Sequence, residues 1–171
     1  MANTFVRIAS VTVGAGGAST MSFSSIPSTY TDLCLKISAR TDRASFDEVI
    51  GISFNGSTSS FSWRLLNANG TSTGSYNGTT PIMAGRAVAA TATASIFSNS
   101  EVYIPNYNSS NYKSFNTDSV AENNSLTLND LDLHAGLWSN TAAITSITLT
   151  PQSSGTFVQY TTATLYGIKN S

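Results

Sequence analysis

Charged residues are scarce in this chain, and so are the side chains that most often carry out acid–base chemistry. Of its 171 residues, 10% are Asp, Glu, Lys or Arg, and there is one histidine and one cysteine. Ordinary globular domains carry roughly 25% charged residues. Because so few acids, bases and nucleophiles are available to meet in one place, the composition favours a structural or binding protein over an enzyme.

Cys34 is the only cysteine, so an internal disulfide is excluded and the fold has to be held together by packing. A zinc site uses three or four Cys, His or carboxylate ligands. The sequence shows no recognisable set of this kind. We therefore expect neither a metal nor a cofactor.

The chain also lacks an excess of charge of one sign, and it lacks long apolar runs. Its formal net charge of −1 gives no long-range field to attract nucleic acid or an anionic membrane. No segment approaches the roughly 20 apolar residues of a membrane span, and the first residues have no basic flank or apolar run of a signal peptide. We expect no nucleic-acid partner, no membrane insertion, and synthesis in a cytoplasm without secretion.

What the sequence does contain is a period-two alternation of apolar and polar residues. Residues 33–40 are the clearest case: apolar side chains occupy the odd positions, and Cys34, Lys36, Ser38 and Arg40 occupy the even ones. Alternation of this kind predicts strands over the segments 5–13, 20–24, 33–40, 49–54, 61–66, 82–93, 101–104, 112–120, 131–137, 144–149 and 157–168.

About ten strands with no helical period predict an all-β chain, namely a single antiparallel β-sandwich domain over residues 1–171 that is jelly-roll-like. Other sandwich topologies stay open, because alternation does not give the strand order. The polar stretches 67–80 and 106–111 are rich in Asn, Gly, Ser and Thr and predict surface loops. Residues 14–17 are glycine-rich but lack the Lys-Ser/Thr ending of a phosphate-binding loop, so they predict a hairpin turn.

His134 is the one histidine, and the alternation of its strand places it opposite Leu131 and Leu133, beside Asp132 and Trp138. An Asp132–His134 dyad is one interpretation. No serine or cysteine is tied to it by a motif, and the chain has no Gly-x-Ser-x-Gly nucleophile elbow. We expect a histidine at the surface or at an interface instead.

Two groups of acids invite a functional interpretation. Asp130 and Asp132, with Asn129, have oxygens suited to Ca²⁺, but their spacing is not that of an EF-hand loop and Asp/Asn pairs are common in turns.

The second group is Asp42, Asp47 and Glu48, which could pair as the carboxylates of a glycosidase do. The neighbouring Arg40 and Arg43 favour a local ion-pair cluster at the surface over this catalytic interpretation.

Aromatic side chains beside amide-rich loops can form a platform for sugars, whereas most aromatics in a sandwich are core or cross-strand pairs. Tyr76, Tyr107 and Tyr112 lie in Asn- and Ser-rich stretches. These three tyrosines are the best candidates for contact with a glycan or another partner.

Three segments carry a resemblance to known proteins. They are residues 5–14 (FVRIASVTVG), 23–33 (FSSIPSTYTDL) and 163–168 (ATLYGI). Together they resemble small all-β virion proteins of tailed bacteriophages, particularly marine and cyanobacterial ones. The resemblance covers both ends of the chain but not residues 55–124, and it implies a structural place in the particle without any catalytic residue.

The resemblance and the composition together predict a non-enzymatic virion protein, made in the cytoplasm of the bacterial host. Its length, without a shaft, coiled coil or repeats, favours a capsid decoration or head-fibre protein over a tail fibre. A homotrimer is expected because symmetric assembly protects strand edges. The alternative is a tail-associated adaptor or a receptor-binding tip that recognises a surface glycan.

Contacts with other capsid or tail proteins, or between copies of the chain, are expected from two places. One is the polar face of the strand over residues 33–40, where Cys34, Lys36 and Arg40 lie. The other is the pair His134 and Trp138.

Overall fold

The computed structural model describes residues 4–80, 82–122, 124 and 129–169. Within these residues the chain forms twelve β-strands and no helix. The strands are β1 (Phe5–Thr12), β2 (Met21–Phe23), β3 (Asp32–Ser38), β4 (Asp47–Phe54), β5 (Phe61–Ala68), β6 (Thr73–Gly78), β7 (Met83–Val88), β8 (Asn99–Ile104), β9 (Lys113–Glu122), β10 (Asn129–Trp138), β11 (Ile147–Pro151) and β12 (Thr162–Ile168).

The strands form two antiparallel sheets of unequal size. The large sheet has eight strands in the order β1-β12-β3-β8-β9-β10-β5-β6, and the small sheet has four in the order β2-β11-β4-β7. The prediction of an all-β antiparallel sandwich is therefore confirmed, with twelve strands instead of about ten.

The core lies between the two sheets, and the alternation of β3 explains one side of it. Leu33 and Leu35 are 0% exposed and Ile37 is 2% exposed, as the period-two pattern predicts. They share one apolar cluster with Ile50 and Phe54 of β4 in the small sheet. Full burial of such side chains contributes roughly 1.5–3 kcal/mol each, so this cluster is the main source of stability.

The small sheet covers only part of the large one. It contacts the large sheet through β2 against β1 at one side and through β7 against β8 and β9 at the other. The strands β10, β5 and β6 continue the large sheet beyond β7. We call these three strands the overhang, and their inner face is the one that continues the core side of the sheet.

On the inner face of the overhang, aromatic rings lie over glycines of the sheet. A Cβ at Gly78 would meet the ring of Trp63 at 2.6 Å, and one at Gly136 would meet the ring of Phe115 at 2.3 Å. A Cβ at Gly74 would likewise meet the ring of Tyr76 at 2.6 Å. The rings thus occupy the space above glycines that have no side chain of their own.

Two details of the sequence prediction are wrong. The stretch 67–80 is not a loop throughout, because β5 extends to Ala68 and β6 occupies Thr73–Gly78 within it. The faces of β10 are also the reverse of those expected: His134 is 2% exposed, whereas Leu131 is 44% and Leu133 is 50% exposed.

Candidate binding surfaces

An open groove lies on the inner face of the overhang, between β5 and β6 on one side and β7 on the other. We define the aromatic groove by Trp63, Asn67, Tyr76, Met83 and Arg86, which line it. Its volume is about 400 Å³, within the roughly 300–1,000 Å³ of small-molecule sites. Tyr76 is 53% exposed, so its ring is available to a ligand.

The register of the sheet brings the groove residues together. Trp63 pairs with Gly78, Leu65 with Tyr76, and Asn67 with Gly74 across the β5–β6 ladder. Paired residues of an antiparallel ladder share a face, so Trp63, Asn67 and Tyr76 all lie on the inner face. Because the intervening partners are glycines, the two aromatic rings can lie close to the sheet.

Arg86 of β7 joins the groove to a partly buried ionic network. Its Nε donates to Asp132 Oδ2 at 2.6 Å, and its Nη1 pairs with Asp47 and lies 3.7 Å from Asp130 Oδ2. Burial disfavours the guanidinium charge, but the Asp132 and Asp47 carboxylates outweigh this effect and hold the pKa of Arg86 above its ordinary value. Burial raises the pKa of Asp130, and the charge of Arg86 opposes that rise.

Asn67 completes this network from β5. Its side-chain amide donates to Asp132 Oδ1 at 2.6 Å and to Asp130 Oδ1 at 3.3 Å. The aspartates of β10 are therefore held from two strands, by a guanidinium and by an amide. The Asn67 amide and the Arg86 guanidinium are both planar and are both fixed by hydrogen bonds to Asp132. We call Asn67, Asp132 and Arg86 the polar floor of the groove.

His134 lies behind the groove, among aromatic rings. Its ring centroid is 5.6 Å from that of Trp63 and 6.1 Å from that of Phe115. Neither ring nitrogen has a hydrogen-bond partner among the described residues. Burial lowers the pKa of His134 to about 4, although the charge of Asp132 opposes the shift, so the ring is neutral near pH 7.

The outer face of the large sheet carries a second surface across β9, β10 and β5, and this surface is apolar. We define the leucine strip by Leu66, Val120, Leu131 and Leu133, which are 59%, 38%, 44% and 50% exposed. Leu133 pairs with Leu66 of β5, and Leu131 pairs with Val120 of β9. The four side chains therefore form one contiguous patch across three strands.

Charged side chains lie at the two sides of the leucine strip. Asp118 and Glu122 are exposed on β9, and Arg64 is exposed on β5. Asp118 pairs with Leu133, and Arg64 pairs with Ala135, two residues further along β10. One side of the strip is thus acidic and the other basic.

The predicted contact face of β3 has only one exposed cation. Lys36 forms an ion pair with Glu101 of β8 and is exposed. Arg40 is partly buried and donates to the backbone carbonyls of Thr93, Ile96 and Ala92. Cys34 is 1% exposed, and burial raises the pKa of its thiol. Arg40 and Cys34 therefore have structural surroundings, whereas an interface role for Lys36 stays a prediction.

Three other side chains expected at the surface are buried, and that expectation is wrong. Trp138 is 1% exposed and packs on Phe54 and Phe61 in the core. Tyr107 is also 1% exposed, and its hydroxyl donates to the carbonyl of Pro27. His134 is buried for the reason given above, namely the reversed face of β10.

The remaining tyrosine predictions fall on exposed positions. Tyr76 is in β6, not in a loop, and it lines the aromatic groove. Tyr112 is 58% exposed and does not line the groove. A glycan contact of either residue stays a prediction, and the structure brings Tyr76 together with other groove residues but not with Tyr107 or Tyr112.

The acids of the 41–48 connection do not form a pair. Asp42 accepts hydrogen bonds from the backbone N–H and the hydroxyl of Thr156, which hold its carboxyl pKa below its ordinary value. Glu48 is 0% exposed and accepts from the backbone N–H groups of Ser153 and Gly155. Asp47 pairs with Arg86, so the expected ion-pair cluster with Arg40 and Arg43 is wrong as well.

The contacts of Asp130 and Asp132 do not favour a Ca²⁺ site either. Asp130 and Asp132 turn inward to Arg86 and Asn67, as described above. Among the described residues no group of three or more His, Cys, Asp or Glu side chains is placed to hold a metal ion.

Sequence reasoning missed Asn67 and Arg86 as members of a site, and it did not place Trp63 among the best aromatic candidates. The sequence did carry one signal for the groove, the alternation Gly74-x-Tyr76-x-Gly78, which puts two glycines on the same strand face as a tyrosine. Nothing in the sequence linked Arg86 to β10, because that contact depends on the packing of two different sheets.

Comparisons with known protein families, with curated proteins and with solved structures gave no match for this chain. Across the residues that the structure describes, no helix is long and apolar enough to cross a membrane.

Proposed function

We propose that this chain is a non-enzymatic structural protein of a tailed-bacteriophage particle that binds the outside of the head as a decoration or head-fibre protein. The observation that carries the proposal is the leucine strip, since a contiguous exposed apolar patch with a polar rim is typical of a protein–protein contact. The proposal that this contact is made in a phage particle rests on the resemblance of residues 5–14, 23–33 and 163–168 to small virion proteins.

We infer that the sandwich is a jelly roll, and the strand order supports this inference. The hairpin β5–β6 lies between β4 and β7 in the chain, and β9–β10 lies between β8 and β11. Without these two insertions, the remaining eight strands form sheets of order β1-β12-β3-β8 and β2-β11-β4-β7, and the chain changes sheet at every connection except the one from β4 to β7. Two four-stranded sheets connected in this order are the jelly-roll arrangement, a class common in capsid proteins.

The leucine strip also supports the proposed homotrimer. Three copies with their strips turned to a common axis would bury the leucines there. The acidic side of each strip, with Asp118, would face the basic side of its neighbour, with Arg64. A head-to-tail contact of this kind closes into a ring.

The oligomeric state of a Leu133→Glu variant tests this assembly. Light scattering coupled to gel filtration should give three times the chain mass for the wild type and one chain mass for the variant, because a buried carboxylate at the axis is unpaired. Tyr160→Glu is the matched control, since Tyr160 is 68% exposed away from the strip. A Leu133→Glu protein that assembles like the wild type contradicts the proposed contact.

Immunogold electron microscopy of intact particles tests the location. Label spread over the head supports decoration, label confined to the tail supports the second candidate below, and particles without label refute a place on the outer surface of the virion.

The second candidate is a tail-associated adaptor or receptor-binding tip that recognises a surface glycan. The aromatic groove is the observation that favours it, because an exposed tyrosine ring beside fixed amide and carboxylate groups suits a saccharide.

A further inference from the structure

We propose that the aromatic groove binds a neutral saccharide, with one sugar ring stacked on Tyr76 and its hydroxyl groups hydrogen-bonded at the Asn67–Asp132–Arg86 floor. This inference rests on the second candidate function, glycan recognition, and names the site and the chemical class of the glycan. It does not depend on whether the protein lies on the head or on the tail.

The geometry of Tyr76 is suited to stacking. Its ring occupies the space over Gly74, where a Cβ would come within 2.6 Å of it. One edge of the ring, with its hydroxyl, therefore lies against the sheet, and the exposure of 53% leaves the rest of the ring open to a ligand. The open face of a tyrosine offers a flat apolar surface with a polar rim, which matches the C–H face of a pyranose.

Trp63 extends this platform on the neighbouring strand. Its ring lies over Gly78 and is backed by the ring of His134 at 5.6 Å. The indole is therefore fixed from two sides, which lowers the conformational entropy lost on binding.

The polar floor is held by hydrogen bonds among its own side chains and presents an acceptor to the groove. Asp132 is 1% exposed and holds Arg86 and Asn67 on its two carboxylate oxygens. The amide nitrogen of Asn67 is used in this network, and its carbonyl oxygen stays as an acceptor for a hydroxyl. Groups held by such a network need little reorganisation when a hydroxyl-rich ligand arrives.

The charges of the floor select against acidic sugars. Arg86 contacts the carboxylates of Asp47, Asp130 and Asp132, so carboxylates outnumber the one guanidinium. A uronate, sialate or phosphorylated sugar would place an additional negative charge next to them, and like charges at short distance repel. A neutral saccharide avoids this repulsion.

A glycan array with neutral and acidic glycans in equal number is the first experiment, followed by calorimetric titration with the strongest neutral hit. We expect binding to neutral glycans only. Tyr76→Ala should weaken the affinity about tenfold or more through loss of the stacking surface. Gly74→Ala keeps the tyrosine but displaces its ring and should also weaken binding, whereas Tyr112→Ala, an exposed tyrosine outside the groove, should bind like the wild type.

Three results would overturn the inference: no binding to any glycan, equal binding to acidic glycans, or unchanged affinity of the Tyr76→Ala variant. Thermal unfolding of each variant shows that a loss of binding is not a loss of fold. The array reads saccharide binding alone, so a negative array with head-labelled particles removes this site and leaves the structural function standing.

Discussion

Arg86 is the side chain that contacts three buried carboxylates of this protein. It reaches from the small sheet to Asp132 and Asp130 of the large sheet and to Asp47 on its own neighbour β4. Only 10% of the residues in this chain are charged, so a partly buried group of one cation and three acids is an unusual concentration of charge for it. This side chain therefore joins the small sheet to β10 of the overhang.

We expect Arg86→Met to lower the free energy of unfolding by about 3–5 kcal/mol, because it leaves buried carboxylates without their cation. Urea unfolding followed by fluorescence measures this loss. The control is Arg7→Met, which changes an exposed arginine of the large sheet that takes no part in the network and should stay within about 0.5 kcal/mol of the wild type. Equal, small effects of the two substitutions would show that the network contributes little.

Single residues were also where prediction from sequence was least successful. Tyr107 lies between two asparagines, and Trp138 is on the strand face opposite Leu131 and Leu133, so both resembled surface aromatics, yet both are core side chains. Tyr107 is buried because its hydroxyl reaches the carbonyl of Pro27, which is 80 positions away in the chain. Such a long-range partner leaves no trace in the local pattern.

At the scale of elements, β10 shows how a correct period can be assigned to the wrong face. Its alternation is strict, with Asp130, Asp132 and His134 on one side and Leu131 and Leu133 on the other. The usual assumption that leucines face the core fails here, because the inner face meets Arg86 and Asn67 and the outer face carries the leucine strip. The alternation predicted the strand correctly, but it did not indicate which face of the strand is buried.

The strand β6 was missed for a different physical reason. Its sequence, Thr-Gly-Ser-Tyr-Asn-Gly, has low strand propensity and many turn residues. It forms as the edge of the large sheet through its ladder with β5, and its glycines make room for the rings of Tyr76 and Trp63. Tertiary context here overrides local propensity.

The layer of rings over glycines gives an element-level prediction for β10. Gly136→Ala should lower the free energy of unfolding by about 1–3 kcal/mol, because the new Cβ would lie 2.3 Å from the ring of Phe115 and force it to move. Gly14→Ala is the control, since a Cβ there meets nothing within 4 Å. Thermal or urea unfolding of both variants makes the comparison, and a Gly136→Ala protein as stable as Gly14→Ala would contradict the tight packing of Phe115.

For the whole molecule, the sequence predicted the fold class correctly but not the order of the strands in the sheets. Alternation located eleven of the twelve strands, because a half-buried strand has to show period two. It could not indicate that β12 lies between β1 and β3, or that two inserted hairpins extend one sheet past the other. The aromatic groove and the leucine strip are products of that extension, so neither could be derived without the strand order.

His134 makes the stability of the whole fold depend on pH. Its pKa is about 4 in the folded protein, against roughly 6.5 in an unfolded chain. As the pH falls from about 6.5 to about 4, the unfolded chain takes up a proton that the folded protein does not. The free energy of unfolding should therefore fall by about 3 kcal/mol over this range and lose no more through His134 below it.

Urea unfolding at several values between pH 7 and pH 4 measures this dependence, and His134→Leu isolates the histidine. Asp130 acts in the opposite direction, because burial raises its pKa and so protonation favours the folded state. Its contribution is common to both proteins and cancels in their difference. The wild type should lose stability relative to His134→Leu as the medium becomes acidic; two parallel pH profiles would mean that the ring finds a solvent or hydrogen-bond partner for its proton, contrary to its burial between Trp63 and Phe115.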